Sequence, residues 1–162
     1  MHIVCGAPAS GKTFVATELA RKLGAALIDS DVATEAVVRA GLAAAGQSAD
    51  DRDSDAYKAV YREPVYETLY GLAAANLGHL PVVLAGPFTR ESQDADWPTR
   101  LEARFGVPVH VHFVRAPDAI RQQRMAARGE ARDAAKLADF EAHAATCARA
   151  VPPFPHVLVD ND

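Results

Sequence analysis

The chain has 162 residues, of which 49% are hydrophobic and 23% charged, a composition typical of a folded globular domain and unlike that of a disordered segment. Its net charge of −4 argues against binding of nucleic acid or an anionic membrane across the whole surface, because the protein's own field repels a polyanion. Two cysteines are too few for a disulfide framework, and no apolar run reaches the roughly 20 residues of a membrane span. We expect one domain over residues 1–162 of a cytoplasmic protein, a monomer or a homodimer.

Short β-like runs alternate with longer helical patterns along the chain, which predicts a parallel sheet covered by helices on both faces. The predicted strands are residues 2–5, 26–28, 82–85, 107–114 and 157–159. The predicted helices are residues 12–23, 31–45, 55–77, 90–105 and 134–150, with a further helix beginning at Pro117. Pro64 predicts a kink or a division into two helices, and Trp97-Pro98 predicts a break. The fold class is therefore three-layer α/β.

A glycine-rich motif follows the first predicted strand and opens the first predicted helix. Residues 6–13 match G-x-x-x-x-G-K-[S/T] at every fixed position, the pattern of a P-loop. The loop amides and the helix N-terminus are expected to bind phosphate oxygens, Lys12 to contact the β- and γ-phosphates, and the Thr13 hydroxyl to bind Mg²⁺. The candidate nucleotide-binding residues are Gly6, Ala7, Pro8, Ala9, Ser10, Gly11, Lys12, Thr13 and Phe14.

Two large classes of P-loop protein lack support in the sequence. A GTPase carries an Asn-Lys-x-Asp motif, which does not occur here. A mechanical ATPase carries an apolar strand that ends in a carboxylate, whereas the third predicted strand ends at Ala85-Gly86. The remaining class is a small-molecule kinase of the nucleoside-monophosphate-kinase type.

Two aspartates, Asp29 and Asp31, follow the second predicted strand. In open α/β sheets the carboxyl ends of the strands face the ligand crevice. A kinase needs a carboxylate there to orient or deprotonate the acceptor hydroxyl and to hold the waters of Mg²⁺, and we assign the hydroxyl to Asp31. The alternative is that Asp29 or Ser30 only caps the next helix.

The motif at 6–13, together with Asp29-Ser30-Asp31, resembles shikimate kinase and the gluconate kinases. The whole chain is similar to the small AAA-like P-loop kinases, which include chloramphenicol phosphotransferase-like and polynucleotide-kinase-like domains. This resemblance implies a P-loop kinase fold with a five-stranded parallel sheet in the order 2-3-1-4-5, a mobile lid at about residues 124–136, and ATP and Mg²⁺ as cofactors. Many relatives carry an aspartate where this chain has Ala85-Gly86, so the resemblance gives the metal to Thr13 with Asp29 or Asp31; the alternative is a weakened metal site and poor catalysis.

Residues 115–136 hold six basic and three acidic side chains, a local charge of +3 that leaves −7 for the rest of the chain. Four arginines are spaced to share one stripe of a helix, namely Arg121, Arg124, Arg128 and Arg132. Arg124 lies between Ile120 and Ala127 on the apolar side, where a charge needs a partner. The resemblance implies that one of Arg124 and Arg128 packs on the base and the other contacts the transferring phosphate, with Arg132 behind them. The alternative is a solvated face paired with Asp118, Glu130 and Asp133.

Arg62 and Arg90 are the candidates for the acceptor site. Tyr61-Arg62-Glu63 resembles a Phe-Arg-x-x-Glu segment of shikimate kinases, whose arginine holds an anionic substrate group, and Arg90 follows the third predicted strand. Aromatic side chains that could line the acceptor or belong to the core are Tyr57, Tyr61, Tyr66, Phe88 and Trp97.

The sequence thus predicts an ATP- and Mg²⁺-dependent kinase that phosphorylates a hydroxyl group of a small molecule. The catalytic candidates are Lys12, Asp31, Arg124 and Arg128. Two alternatives remain at this point: a nucleoside, nucleotide or nucleic-acid-end kinase, and an ATP-binding module without catalysis.

Overall fold

The strands form one parallel sheet with the order β2-β3-β1-β4-β5. The computed structural model describes residues 1–52, 54–147 and 150–162. In that part of the chain the strands are β1 (His2–Cys5), β2 (Ala26–Asp29), β3 (Val82–Ala85), β4 (His110–Arg115) and β5 (Val157–Asp160). The predicted fold class and strand order are therefore confirmed.

Helices connect the strands and cover both faces of the sheet. They are α1 (Lys12–Leu23), α2 (Ser30–Ala44), α3 (Asp55–Leu77), α4 (Trp97–Phe105), α5 (Asp118–Arg128), α6 (Ala134–Ala138) and α7 (Phe140–Thr146). Single 3₁₀ turns cover Glu91–Gln93 and Ala131–Asp133. Within the described ranges, no helix combines the length and the apolar content that crossing a bilayer requires.

Alternate residues of the strands enter two separate cores, as the pleat of a sheet covered on both faces requires. One core joins Ile3, Cys5 and Leu84 to an aromatic layer from α3 and α4. The other joins Val4 and its neighbours to Ala16 and Ala20 of α1. Burial raises the pKa of the Cys5 thiol to about 12, so Cys5 acts as a small core side chain.

Three of the predicted helices differ in the structure. Pro64 lies inside α3 without dividing it, because the half that follows the proline is held to the sheet by buried residues such as Leu69. The predicted two-helix alternative is therefore wrong. The pair Trp97-Pro98 begins α4 rather than breaking a longer helix, since proline is well suited to a first turn.

The single helix predicted for residues 134–150 is also wrong. The helix is interrupted at Asp139, whose backbone is non-helical (φ −139°, ψ 74°). The carboxylate of Asp139 accepts a hydrogen bond from the backbone amide of Ala142 at 3.0 Å. This side chain therefore caps α7 instead of continuing α6. Beyond Thr146 the chain leaves the helix, and residues 148–149 of the predicted helix lie outside the described part.

The strand register brings the predicted site segments to one edge. Val4 of β1 and Asp29 of β2 are both paired with Ala85 of β3. Because all strands are parallel, the loop that follows Cys5, the carboxylate of Asp29 and the turn at Gly86 lie side by side at the carboxyl edge of the sheet.

Candidate nucleotide-binding site

The loop between β1 and α1 has the backbone of an anion-binding nest. Gly6, Ala9 and Gly11 all have positive φ, at +144°, +59° and +92°. At Gly6 a β-carbon would lie only 2.1 Å from the carbonyl oxygen of Val114, so the loop passes directly against β4. Such left-handed turns direct successive amides inwards, and α1 adds the positive end of its dipole. The buried Ser10 hydroxyl has no hydrogen-bond partner in the described part of the chain, which suits a loop shaped to receive a polar ligand.

Lys12 closes this loop, since its Nζ donates to the carbonyl oxygen of Ala7 at 2.8 Å. Burial lowers the pKa of the Lys12 ammonium to about 8, although the nearby carboxylate of Asp31 acts in the opposite direction. A cation that has lost much of its hydration gains from an anionic partner, and polyphosphate is the partner that the surrounding amides also suit.

Asp29 caps α2, as the alternative interpretation predicted, and it also contacts the phosphate loop. Its Oδ1 accepts hydrogen bonds from the amides of Asp31 (2.9 Å) and Val32 (3.4 Å) and so caps α2. Its Oδ2 accepts one from the Thr13 hydroxyl at 3.0 Å. A hydroxyl and a carboxylate side by side beside a phosphate loop are the hard oxygen ligands that Mg²⁺ prefers. Among the described residues, no cluster of three acidic, histidine or cysteine side chains could hold a metal ion.

A pocket of about 490 Å³ extends from the phosphate loop to α2 and α3. It is lined by Lys12 and Thr13, by Asp29 and Asp31 at the start of α2, and by residues of α2 and α3. The Ala85-Gly86 turn forms another wall, and because it carries no carboxylate, Asp29 and Asp31 supply the acidic groups at this edge. Asp31 is exposed on the first turn of α2.

Helix α5 holds its three arginines in different surroundings. The residues buried on its inner side are Arg121 and Met125, so the expectation that Arg124 lies on the apolar side is wrong. Arg124 is half-buried, lines the pocket and lies with Nη1 3.4 Å from the carbonyl oxygen of Ser10. Arg128 lines the pocket and pairs with Asp133, one of the acidic partners considered above. The side chain of Arg132 lies outside the described part.

Arg121 is a residue that the sequence did not single out for a role of its own. Its side chain is only 3% exposed, and its Nε donates to the carbonyl oxygen of Pro8 in the phosphate loop at 2.9 Å. The same guanidinium donates to Asp118 at 2.7 Å and contacts the Cys147 sulfur at 3.3 Å. Arg121 therefore connects α5 to the phosphate loop. In the sequence, only its place in the four-arginine stripe indicated such a role.

Asn161, just after β5, is a second contact that the sequence did not assign. Its side-chain Nδ2 donates to the carbonyl oxygen of Ser10 at 2.8 Å, and its backbone N–H donates to the carbonyl oxygen of Arg115. A β-carbon at Gly11 would lie 1.8 Å from the same Nδ2, so the end of the sheet packs closely on the loop.

The two acceptor candidates occupy different positions. Arg62 lines the pocket, but its Nη2 is paired with Glu91 at 2.7 Å. Arg90 is exposed and lines an adjoining cleft of about 680 Å³ rather than the pocket itself. Of the aromatic candidates, Tyr57 and Tyr66 line the pocket. Phe14 is 66% exposed on α1.

Comparisons with known proteins agree with this geometry. No curated protein sequence matches the chain significantly. Similar solved structures include a candidate kinase from Chloroflexus aurantiacus J-10-fl, with a TM-score of 0.69 and 20% identity over 98% of this chain and 86% of that one. A sugar kinase from Janibacter sp. HTCC2649 has a TM-score of 0.61 and 17% identity over 98% of this chain and 83% of that one. A gluconokinase from Sinorhizobium meliloti 1021 has a TM-score of 0.56 and 17% identity over 98% of this chain and 81% of that one.

At these identities the likeness concerns the fold. The AAA_33 family profile, described as an AAA domain, matches residues 1–153, which is nearly the whole chain. The order of the sheet and the loop between β1 and α1 are those expected from the resemblance to small P-loop kinases. The chain therefore belongs to the AAA_33 family of AAA domains.

Proposed function

We propose that this protein is an ATP- and Mg²⁺-dependent kinase that phosphorylates a hydroxyl group of a small molecule. The observation that carries the proposal is the single pocket in which Lys12, the Thr13–Asp29 pair and Asp31 lie together with the inner walls of α2 and α3. One end of this pocket suits a polyphosphate and the other end has space and polar groups for an acceptor. The sugar kinase and gluconokinase with the same fold lend support.

Each group then has a role that its position allows. The loop amides and Lys12 bind the phosphates, and Thr13 with Asp29 holds the metal. When bound, ATP supplies the phosphoryl group and Mg²⁺ offsets its negative charge. Asp31 orients the acceptor hydroxyl and accepts its proton, while Arg124 and Arg128 stabilise negative charge that develops on the transferred group.

The lining of the acceptor end favours a polar, hydroxylated molecule over a nucleobase. Polar side chains there include Thr34, Glu35 and Lys58. The two aromatic rings of the pocket each have one face covered by a guanidinium: Arg52 lies 5.5 Å from the centroid of Tyr57, and Arg62 lies 5.1 Å from that of Tyr66. Those faces are closed to base stacking. A nucleoside acceptor is therefore the less favoured candidate.

The proposal is tested by incubating the protein with ATP, Mg²⁺ and a pool of metabolites, with Lys12→Ala as the inactive control. Once an acceptor is found, Asp31→Asn should lower kcat by roughly 100-fold or more. The dissociation constant of this variant for ATP should change by less than about threefold, because in this proposal Asp31 contacts the acceptor rather than the phosphates.

Two results would contradict these assignments. If turnover and ATP affinity fall equally in Asp31→Asn, its role at the hydroxyl is wrong. If wild-type protein binds ATP and yet yields no phosphorylated product from any acceptor, the protein is a nucleotide-binding module rather than a kinase.

A further inference from the structure

Asp133 is a carboxylate that the structure buries completely in the 3₁₀ turn between α5 and α6. Its Oδ2 accepts a hydrogen bond from Arg128 Nε. Its Oδ1 lies 3.7 Å from Lys136 Nζ and accepts no hydrogen bond from any described residue. A buried carboxylate is costly unless cations compensate it, and these two side chains place cationic groups beside Asp133.

Both partners of Asp133 line the nucleotide pocket. Arg128 is the last residue of α5 and Lys136 belongs to α6, so the turn at Asp133 joins cations from two different helices. Lys136 is only 10% exposed and still reaches the pocket wall. The pairing therefore holds the two cations at the pocket and does not withdraw them from it.

Among the described residues, only Asp133 contacts the guanidinium of Arg128. Asp133 pairs with the Nε atom, and the two terminal nitrogens have no hydrogen-bond partner in the part of the chain that the structure describes. Those nitrogens form the fork that binds phosphate oxygens in pairs. Lys136 supplies a compact ammonium beside it, the other common phosphate ligand. Asp133 fixes the direction of both side chains, because each would otherwise have several free rotamers.

We infer that Asp133 is a positioning residue that aims Arg128 and Lys136 at the terminal phosphate of a bound nucleoside triphosphate, and that Lys136 is itself a phosphate-binding residue. The inference rests on the proposed function only to the extent that the pocket binds a triphosphate. It requires no particular acceptor. The contrary interpretation, in which Asp133 competes with phosphate for the two cations, predicts a change of opposite sign.

The test compares the binding of ADP and of the non-hydrolysable analogue AMP-PNP, both with Mg²⁺, by isothermal titration calorimetry. In Asp133→Asn the dissociation constant for AMP-PNP should rise about tenfold, the effect of losing one well-placed charged hydrogen bond. The constant for ADP, which lacks the terminal phosphate, should stay within about threefold. The matched control is Asp94→Asn, which removes an Asp–Arg pair outside the pocket and should change neither constant.

A second variant separates positioning from a loss of folding. Lys136→Met leaves the Asp133–Arg128 contact in place and should also weaken AMP-PNP binding selectively. In the double variant the two losses should be less than additive, because both remove the same ammonium from the phosphate. If Asp133→Asn proves unfolded by its melting curve, the Lys136→Met result alone decides the matter.

Several outcomes would overturn the inference. Equal weakening of ADP and AMP-PNP would indicate a purely structural role, tighter AMP-PNP binding would indicate competition, and unchanged binding of both would remove the role altogether. Wild-type protein that binds neither nucleotide would overturn this inference and the proposed function together. Selective loss of AMP-PNP binding in a protein without transferase activity would uphold the inference while the kinase proposal fails.

Discussion

At Gly6 the phosphate loop passes directly against the backbone of β4, which leaves no room for an added methyl group. A β-carbon there would lie 2.1 Å from the Val114 carbonyl oxygen, and the φ of +144° is strained for any other residue. Gly6→Ala should therefore lower the free energy of unfolding by about 2 kcal/mol or more and abolish measurable ATP binding. Thermal melting and calorimetric titration measure these effects.

The matched control for this prediction is Gly106→Ala. Gly106 also has a positive φ, +66°, but its β-carbon would meet no atom within 4 Å. The variant should cost only about 1 kcal/mol, the strain of a left-handed backbone, and should leave ATP binding intact. Normal ATP affinity in Gly6→Ala would show that the loop can move away from β4.

Single residues also show where sequence reasoning succeeds and where it does not. The phosphate loop was predictable because its ligand-binding groups are backbone amides within one contiguous motif, whose shape follows from local glycines. The pairing of Arg62 with Glu91 was not predictable from the sequence, because the two residues are 29 positions apart and meet only in the folded chain. Helical spacing placed Arg124 on the buried side of α5, but spacing alone does not fix which stripe of a mainly polar helix turns inwards.

At the scale of elements, α5 is unusual in burying an arginine where most helices bury an apolar residue. The guanidinium of Arg121 lies 5.7 Å from the ring centroid of Phe140 and donates to the Pro8 carbonyl of the phosphate loop. Arg121 thereby links three elements: α5, α7 and the loop. Its removal should affect the loop although Arg121 does not line the pocket.

Arg121→Met should lower the free energy of unfolding by about 2–3 kcal/mol, because the substitution removes the hydrogen bonds of a charged group and leaves the Pro8 carbonyl without its donor. ATP affinity should fall several-fold through the displaced loop. Chemical denaturation and titration of ATP measure the two effects. Arg115→Met, which removes an exposed arginine paired with Asp160, is the control and should change neither by much. An unaltered ATP affinity in a destabilised Arg121→Met protein would limit Arg121 to a role in folding.

The helix boundaries show the same division between local and tertiary causes. The limits of β1, α1 and β2 were predicted to within a residue, since short apolar strands, a helical apolar pattern and glycines at the ends of elements define them. At Pro64 and Asp139 the predictions failed in opposite directions. Packing of the buried face of α3 outweighs the local preference of proline for a break, whereas a local side-chain cap at Asp139 ends what the composition suggested was one helix.

At the scale of the whole molecule, the charge of −4 conceals a separation of signs. Seven basic and three acidic side chains line the pocket, so positive charge is concentrated where an anionic ligand would bind. Only part of this was visible in the sequence, as the basic stretch 115–136. Arg52, Lys58 and Arg62 come from the region around α3, and only the fold brings them to the same pocket.

The opposite edge of the sheet carries a cluster of histidines that no proposed function uses. His2 Nδ1 lies 3.1 Å from His112 Nε2, and the rings of His2 and His110 stack with their centroids 5.0 Å apart. Burial, followed by the charges of these neighbours, lowers the pKa of His2 to about 4, and burial lowers the pKa of His112 as well. The folded protein therefore favours the neutral forms of His2 and His112.

This cluster should make the protein less stable in mild acid. The folded pKa of His2 is below its ordinary value of 6.5, so between about pH 6.5 and 4 the unfolded chain binds more protons and stability falls as the pH falls. From pH 7 to pH 5 we expect a drop in Tm of about 3 °C, corresponding to about 1 kcal/mol after allowance for solvent screening. In His2→Asn the drop should shrink, whereas His79→Asn, which alters an exposed histidine outside the cluster, should retain it. The carboxylates with lowered pKa, such as Asp160, lose their contribution only below about pH 4, so a wild-type Tm that stays constant down to pH 5 would show that the cluster accepts protons without cost.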